Sequence, residues 1–535
     1  MLSTGFSTYG LEVMSRLHKT GKFELAEFAS YGGMEVNGEN RYHKLPWKYY
    51  PNMPSNQEES KIYDSSPTNQ WGEWLFNKVL LDFKPDIVWD IRDWWMMEYQ
   101  ERSPFRKMYK WIIMPTVDAM PQADQWISTF RNANGVFTYS DWGKEILQQQ
   151  GVAVDGTAPP GVNYKSYQYV KDNTEQRKGL GIRPDAYIIG TVMRNQRRKL
   201  YPDLIESFSG FLKSAKKEVA DKSYLYLHCA YPDIGWDIPK LIKDAGVASR
   251  TLFTYSCKTC GQVFPAFYQD VVGTCRYCGA NTAILPRAQE GISTDMLGKI
   301  ISCFDAYIQY SYCEGFGMPQ VEAAACGVPV FAVDYSAMSD VVRKIEGFPI
   351  KVQRLIRESE SLCYRAYPDN QDLINNLIDF FNVSAQHRQY WRMKTRKAVE
   401  RNYSWDITAK TWETYFENLP VDNQQKTWYS PPRIFNPTQM PPDGLTNEEF
   451  VNWSILNIAG RPDLTNSYTA LKLIRDLNWG VYEESGSNNY FSDSSSLGIK
   501  GRVREFTRKD IANILFKLCE YNNFWETKRC SVQTA

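Results

Sequence analysis

The segment from Ser311 to Val330 narrows the fold more than any other part of the chain. It follows a short apolar run, Ala306 to Gln309, and passes through glycines at 315 and 317. It then continues from Pro319 through Val321-Glu322-Ala-Ala-Ala to Gly327 and a second apolar run, Pro329 to Val333. Proline suits the first turn of a helix, and glycine suits the position just past its end. The segment therefore reads as strand, tight loop, helix, strand, which is the unit of a parallel sheet. Loop amides and a helix N-terminus together form an anion site of the kind that holds phosphates. Glu322 falls one turn into the helix, where its carboxylate can accept two hydrogen bonds from a ribose diol. Glu314 precedes the loop and can reach sugar hydroxyls.

The same alternation recurs along the chain. Leu11 to Lys19 has a helical apolar pattern, Asp86 to Asp90 and Val136 to Ser140 read as strands, and Ser140 or Asp141 is placed to cap the helix that follows. Residues 44 to 70 read as a long loop. A breaker cluster, Ala158-Pro-Pro-Gly-Val-Asn163, marks a boundary. Strands then recur at Tyr187 to Val192, Leu225 to His228, 306 to 309 and 329 to 333. This predicts an α/β chain with two doubly wound, Rossmann-like domains. The expected boundaries are 1–165 for the first domain and 166–415 for the second. A Pro-, Asn- and Gln-rich linker follows over 416–445, then a helical region over 446–535, with a capping box at Thr446 to Glu449 and a Ser- and Gly-rich stretch at 484–498. Residues 507–527 read as helical.

The chain has 535 residues, more than one core accommodates, and a net charge of +1. No global field recruits nucleic acid or an anionic membrane, so any polyanion site has to be a local patch. No stretch reaches the roughly 18 apolar residues that a membrane span needs. The start of the chain has neither the basic region nor the apolar core of a signal peptide. Aromatic residues reach 14%, which fits either an aromatic-lined cleft or a large core.

Four of the 11 cysteines form two C-x2-C pairs, Cys257/Cys260 and Cys275/Cys278, with fourteen residues between them. This is the pattern of a zinc ribbon with four thiolate ligands and no open coordination position, hence a structural metal inserted over 254–284. Lys258, Arg276 and Tyr277 are its candidate contacts to a partner. The other seven cysteines are scattered, which points to a reducing, cytoplasmic setting.

The run Glu314-Gly-Phe-Gly-Met-Pro-Gln-Val-Glu322-Ala-Ala-Ala-Cys-Gly-Val-Pro-Val, two glutamates with seven residues between, resembles the signature of the group 1 retaining glycosyltransferases (family 4). That family includes sucrose and trehalose-related synthases and many mannosyl- and glucosyltransferases. The resemblance implies the GT-B fold, two Rossmann domains around a cleft, and a nucleotide-diphosphate sugar as donor. Gly190-Thr-Val-Met-Arg194-Asn-Gln-Arg-Arg-Lys199 resembles the family segment whose Arg and Lys bind the donor diphosphate, here Arg194 and Lys199. By the same resemblance Glu314, Gly315, Phe316, Gly317, Met318 and Glu322 contact the donor. Gly5 to Gly10 resembles the glycine-rich loop that faces donor and acceptor, although almost no strand precedes it. Asp86 to Trp94 resembles a strand and loop where histidines are common; Trp89 and Arg92 stand near those places, so no histidine role is carried over. Asp93 is left as the candidate for acceptor binding or proton transfer, and Asp118 is a second. The resemblance covers roughly residues 1 to 415.

These readings give retaining transfer of a sugar to a hydroxyl acceptor. No Asp-x-Asp sequence stands at a donor position, so no catalytic metal is expected. The acceptor is open. Two basic runs (Arg388, Arg392, Lys394, Arg396, Lys397 and Arg401; then Lys500, Arg502, Arg504, Arg508 and Lys509) permit DNA with hydroxymethylated bases, as in phage DNA modification in a host cytoplasm. A glycan, a lipid-linked or a small-molecule acceptor is the alternative, and basic runs also occur as plain solvated helix faces. A different class, a non-catalytic zinc-ribbon binding protein on a transferase scaffold, would lack donor binding.

Overall fold

A computed structural model describes residues 5–33, 35–36, 39–40, 45–268, 273–287, 291–421, 428, 439–478, 506, 508, 510, 511, 514, 515 and 518. The chain divides into two compact units. The first comprises residues 1–74, 87–98 and 110–420, and the second comprises 75–86, 99–109 and 421–535.

The first unit holds two larger, mainly parallel sheets, besides a two-stranded parallel pair of Ala26–Ala29 with Lys48–Pro51. One has the strands Ile87–Asp90, Lys110–Ile113, Gly135–Thr138 and Gly156–Thr157, in that order and all parallel. The other is built around Tyr187–Val192. On one side of it lie Ser223–His228, Thr251–Cys257 and an antiparallel Val263–Phe267; on the other lie Ala306–Gln309, Val330–Val333 and Phe348–Ile350. Gly135–Thr138, Ala306–Gln309 and Val330–Val333 are buried at every position, which is why they read as apolar runs and not as alternating ones. The chain leaves Tyr187–Val192 outward and later returns to its other side at Ala306–Gln309. That reversal is the topological switch point where doubly wound sheets bind ligands, beyond the carboxyl ends of the strands.

Several local expectations change. Gly5 to Gly10 is the start of the helix Gly5–Thr20 and not a loop. The expected loop over 44–70 contains the strand Lys48–Pro51, the helix Gln57–Tyr63 and a 3-10 turn, Pro67–Trp71. Its polar residues are caps: the Asn56 side chain accepts from the Glu59 amide at 2.9 Å, and Pro67 opens the turn. Ser140 caps the helix Asp141–Gln149, accepting from the Gly143 amide at 3.1 Å.

The helix Trp405–Asn418 runs past the expected boundary at 415 and returns to the first sheet. Trp412 is fully buried there, stacked on Phe416 at 5.4 Å, and donates from Nε1 to the Tyr9 hydroxyl at 2.7 Å. Tyr9 in turn donates to the carbonyl of Ala158 in the breaker cluster, at 2.8 Å. The two ends of the first unit are thus tied at the segment that joins the sheets.

In the second unit, Phe76 packs edge-on against Tyr99 at 5.3 Å, and Trp428 lies against Phe105 at 6.1 Å. The capping box is present at Thr446 and Glu449. The helices Asn447–Ser454 and Tyr468–Asn478 share a core with Phe506, Ile511, Ile514, Leu515 and Leu518. Residues 422–427, 429–438 and 484–498, and most of 507–527, lie outside the described residues. Among the described residues no helix is long and apolar enough to cross a membrane.

Trp412→Ala removes a fully buried indole and leaves the Tyr9 hydroxyl short of a partner. It is expected to cost about 3–5 kcal/mol of stability, read from the urea midpoint at unchanged slope.

Candidate functional site

At the switch point the loop after Tyr187–Val192 meets the loop after Ala306–Gln309. The backbone fastens them: the Leu200 amide donates to the Tyr310 carbonyl at 3.1 Å, and the Tyr312 amide donates to the Arg198 carbonyl at 3.1 Å. Side chains finish the joint. The buried Glu314 carboxylate takes Lys199 Nζ on Oε1, Arg198 on Oε2 at 2.7 Å, and the Gln309 amide on Oε1 at 2.9 Å. Burial and the Arg198 guanidinium push the Lys199 ammonium well below its usual range. The Glu314 amide donates to Ser336 Oγ at 3.0 Å. Ser336 is fully buried with φ 54° and ψ −156°, a conformation a non-glycine residue holds only when its surroundings enforce it.

The loop that follows needs its glycines. A Cβ on Gly315 would collide with the Thr116 methyl of the first sheet's loop, so the two halves meet backbone to side chain there. Gly317 has φ +84° and stands at the N-cap of the helix Met318–Ala325, with no side-chain cap on the first turn. Pro319 has no N–H and the Gln320 amide donates to the Gly317 carbonyl at 3.1 Å, so the amides open to another acceptor there are those of the loop up to Met318. Phe316 is buried edge-on against Tyr403 at 5.5 Å. Gly5 comes close on the other side: a Cβ there would touch Met318 Sδ at 3.4 Å. Glu322 sits beside Tyr167, and burial raises its carboxyl to about 7 against the pull of that hydroxyl.

The structure brings together Lys199, Glu314, Gly315, Phe316, Gly317, Met318 and Gly5. Arg194 is not among them: its half-exposed guanidinium is held by Asp233 at 3.0 and 3.1 Å. Arg198 occupies the place by the glutamate. The sequence shows three consecutive cations, Arg197, Arg198 and Lys199, and gives no sign of which one turns inward.

Across from Glu314, the first sheet contributes Asp93, Thr116 and Asp118. Burial raises the Asp93 carboxyl to about 6, Asp118 adds to the rise, and Thr116, Arg198 and Arg92 pull it back. Asp118 is bound instead to Arg365 at 2.9 Å and accepts from the Cys313 thiol at 3.2 Å. Arg365 lies on a hairpin, Val352–Arg357 with Tyr364–Pro368, that sequence reading did not single out.

The four ribbon cysteines place their sulfurs within 4.8 Å of one another and could hold a metal ion. Cys257 and Cys278 lie 3.6 Å apart, and Cys260 and Cys275 lie 3.7 Å apart. Those separations suit the edges of a tetrahedron with metal–sulfur bonds of about 2.3 Å, and are too long for disulfides. Each knuckle turns at a glycine with positive φ, +71° at Gly261 and +73° at Gly279. The ribbon extends the second sheet directly, since Cys257 ends one of its strands. Arg276 belongs to that attachment: it donates to the Leu180 carbonyl at 2.7 Å and lies over Phe264 at 4.8 Å, so it is not free for a partner.

Half of the first basic run is likewise internal. On the helix Ala385–Asn402, Arg388 caps Val383 at 2.6 Å, Arg392 is buried against the Phe304 carbonyl at 3.1 Å, and Arg396 caps Ala325. Lys394 and Arg401 both pair with Glu346, at 2.5 and 3.1 Å. Arg388, Arg392 and Arg396 are thus taken up by carbonyls inside the protein, whereas Lys394 and Arg401 pair with Glu346 at the surface and Lys397 stands exposed beside them. The second run lies outside the described residues apart from Arg508.

Residues 290–362 match the glycosyl transferases group 1 family. The match spans the helix before Ala306–Gln309, the whole Glu314–Glu322 loop and helix, and the start of the hairpin. Sucrose synthase 4 of Oryza sativa subsp. japonica is 28% identical over 152 residues, which is 28% of this chain and 16% of that protein. Sucrose synthase 2 of Pisum sativum is 26% identical over 139 residues, 26% of this chain and 14% of that protein. The chain thus aligns with about a sixth of the curated relatives it matches. Sucrose-phosphate synthase of Thermosynechococcus elongatus superposes with TM-score 0.54 at 17% identity, covering 77% of this chain and 93% of that one. Anabaena HepE, solved in complex with UDP and glucose, gives TM-score 0.54 at 13% identity over 78% and 96%. The fold is GT-B.

A carboxyl raised on folding adds stability that is complete at low pH and is lost as pH rises through its folded value. For Glu322 that window runs upward from 4.5 through about 7. His228, lowered to about 4 by burial, acts in the opposite sense, its contribution fading as pH falls from 6.5. Glu322→Gln is therefore expected to gain about 2 kcal/mol over wild type near pH ~8 and little near pH ~4, measured by denaturant unfolding across pH.

Proposed function

We propose that the protein is a retaining glycosyltransferase that moves a sugar from a nucleoside diphosphate, with UDP as the first to test, to a hydroxyl acceptor. The observation that carries this is the convergence of Lys199 and Arg198 on Glu314 at the switch point, beside a helix whose first-turn amides carry no side-chain cap. UDP is named because HepE, of the same fold, was solved with UDP and glucose. Retention rests on the resemblance of the Glu314 to Glu322 segment.

In this reading the diphosphate lies on the amides of Gly315 to Met318, and Lys199 and Arg198 offset the charge that grows as it leaves. Arg194 reaches the donor only by leaving Asp233, whereas Arg198 is in place without moving. Glu322 holds the ribose diol and Glu314 the sugar hydroxyls. The bond from the anomeric carbon to the diphosphate breaks, and the acceptor oxygen bonds to that carbon on the same face. Asp93, with a carboxyl held near 6, takes the acceptor proton. The products are the glycoside, the nucleoside diphosphate and a proton. Preorganised charge of this kind is usually the largest catalytic term.

The ribbon holds zinc in this reading. Four thiolates at tetrahedral spacing fit that ion and leave no site for a substrate, so its role is to stabilise the edge of the second sheet.

Incubation with a panel of nucleotide sugars should release nucleoside diphosphate with one donor. Lys199→Ala or Glu314→Ala should lower turnover about 10²–10³-fold, with the fold kept by circular dichroism. Unchanged turnover in both variants would remove the site assignment, and no donor bound or turned over would remove the enzyme reading. Metal analysis should find zinc bound by the intact chain and lost in Cys257→Ser with Cys275→Ser.

A further inference from the structure

The chain leaves a cluster of three tryptophans beside Asp93 that the transfer chemistry does not use. Trp94 directly follows Asp93 and opens the short helix Trp94–Met97. Trp126 lies in the first turn of the helix Asp124–Arg131. Trp94 stacks on Trp126 with centroids 6.1 Å apart at 29°, and Trp95 leans on the same ring at 6.5 Å and 59°. Trp95 is 46% exposed. A single exposed apolar residue is ordinary. Here the exposed indole is braced by two others and stands on the helix that Asp93 begins, and the Asp93 carboxyl is influenced by Arg198, the partner of Glu314.

We infer that Trp95, backed by Trp126 and Trp94, is a subsite for a neutral sugar ring of the acceptor, next to Asp93. The inference rests on the transfer reading above and names the acceptor's chemistry. A pyranose has one face of polarised C–H groups that pack on the negative face of an indole, and a rim of hydroxyls that a neighbouring carboxylate can accept from. A nucleobase also stacks on tryptophan, but nucleic acid brings phosphates and needs free cations. The cations of these elements are engaged. Arg92 binds Asp90, Ser30 and the Trp71 carbonyl. Arg131, on the Trp126 helix, binds the carbonyls of Gly151 and Gln150. These elements otherwise carry the carboxyls of Asp93 and of Asp124, in the first turn of the Trp126 helix, which suit hydroxyls and repel phosphate.

The test uses the full chain with neutral trisaccharides (maltotriose, cellotriose and mannotriose) and, separately, oligothymidylate. Binding is read by tryptophan fluorescence and saturation-transfer NMR, and UDP binding is measured on the same samples by calorimetry. At least one trisaccharide should bind, with an affinity unchanged by added salt. Trp95→Ala should weaken it about tenfold, Trp95→Phe should keep most of it, and neither should alter UDP binding. UDP bound without any trisaccharide, trisaccharide binding untouched by Trp95→Ala, or oligothymidylate binding that falls steeply with salt would each overturn the subsite. Trisaccharide binding through Trp95 without UDP would keep the subsite and remove the donor reading.

Discussion

The site depends on one buried ionic contact, Lys199 with Glu314. Two charges taken out of water are stable only when further hydrogen bonds complete their shells. Here Arg198 and the Gln309 amide do so at the Glu314 carboxylate, and the Ser336 hydroxyl accepts from the Glu314 backbone amide. The contact joins the two loops on either side of the reversal in strand order, so the sheet's topology and the site's electrostatics are one constraint. Loss of Glu314 would leave two cations facing each other. Loss of Lys199 would leave a carboxylate held by Arg198 alone among the cations. Ser336 shows how firmly the position is enforced, since its backbone stays in a region that normally costs about 1–3 kcal/mol.

Four strands of the second sheet were legible in the sequence as short apolar runs, whereas Thr251–Cys257, Val263–Phe267 and Phe348–Ile350, which mix polar residues or proline into the run, were not. The expected strands at 187–192 and 306–309 appear with those bounds. Glu314 was marked by the glycine loop it precedes, and Lys199 only by the resemblance of its basic run to a family segment. Arg198 was not, since three adjacent cations look alike until the Lys199–Ser311 bridge fixes which ones turn inward. Arg365 was hidden for a different reason: it lies on a hairpin without a motif, and its partner Asp118 is 247 positions away. The loop expected over 44–70 failed because Asn and Pro serve as caps as readily as they serve as breakers.

Basic runs on helices are poor guides to partners, and the helix Ala385–Asn402 shows why. Arginine carries several donors, so a helix crossing the ends of others can use it to close their last carbonyls. Arg388 and Arg396 do this for Val383 and Ala325, and Arg392 is buried against Phe304. Half of what looks like a field for a polyanion is internal wiring, and only Lys394, Lys397 and Arg401 of the run stay at the surface. The same holds at the ribbon, where Arg276 spans Phe264 and the Leu180 carbonyl. A cation seen in sequence is evidence for a partner only once its internal acceptors are accounted for.

One short stretch, Thr116 to Met120, carries three of the contacts between the two halves of the first unit, beside others such as the Asp141–Lys344 pair at 2.6 Å. Thr116 lies against Gly315, Asp118 binds Arg365, and the Met120 carbonyl accepts from the Tyr364 amide at 2.8 Å. Each contact comes from a different part of the second half: the donor loop, the far strand of the hairpin, and the residue that begins it. The stretch also neighbours Asp93, whose carboxyl feels Thr116 and Asp118 together. Thr116 thus touches both the Gly315 loop and the Asp93 carboxyl. That coupling would let a bound donor set the protonation of the group facing the acceptor: a diphosphate drawn onto Arg198 takes away part of the positive charge that now holds the Asp93 carboxyl down. Its value would rise further, making it a stronger base when the donor is in place.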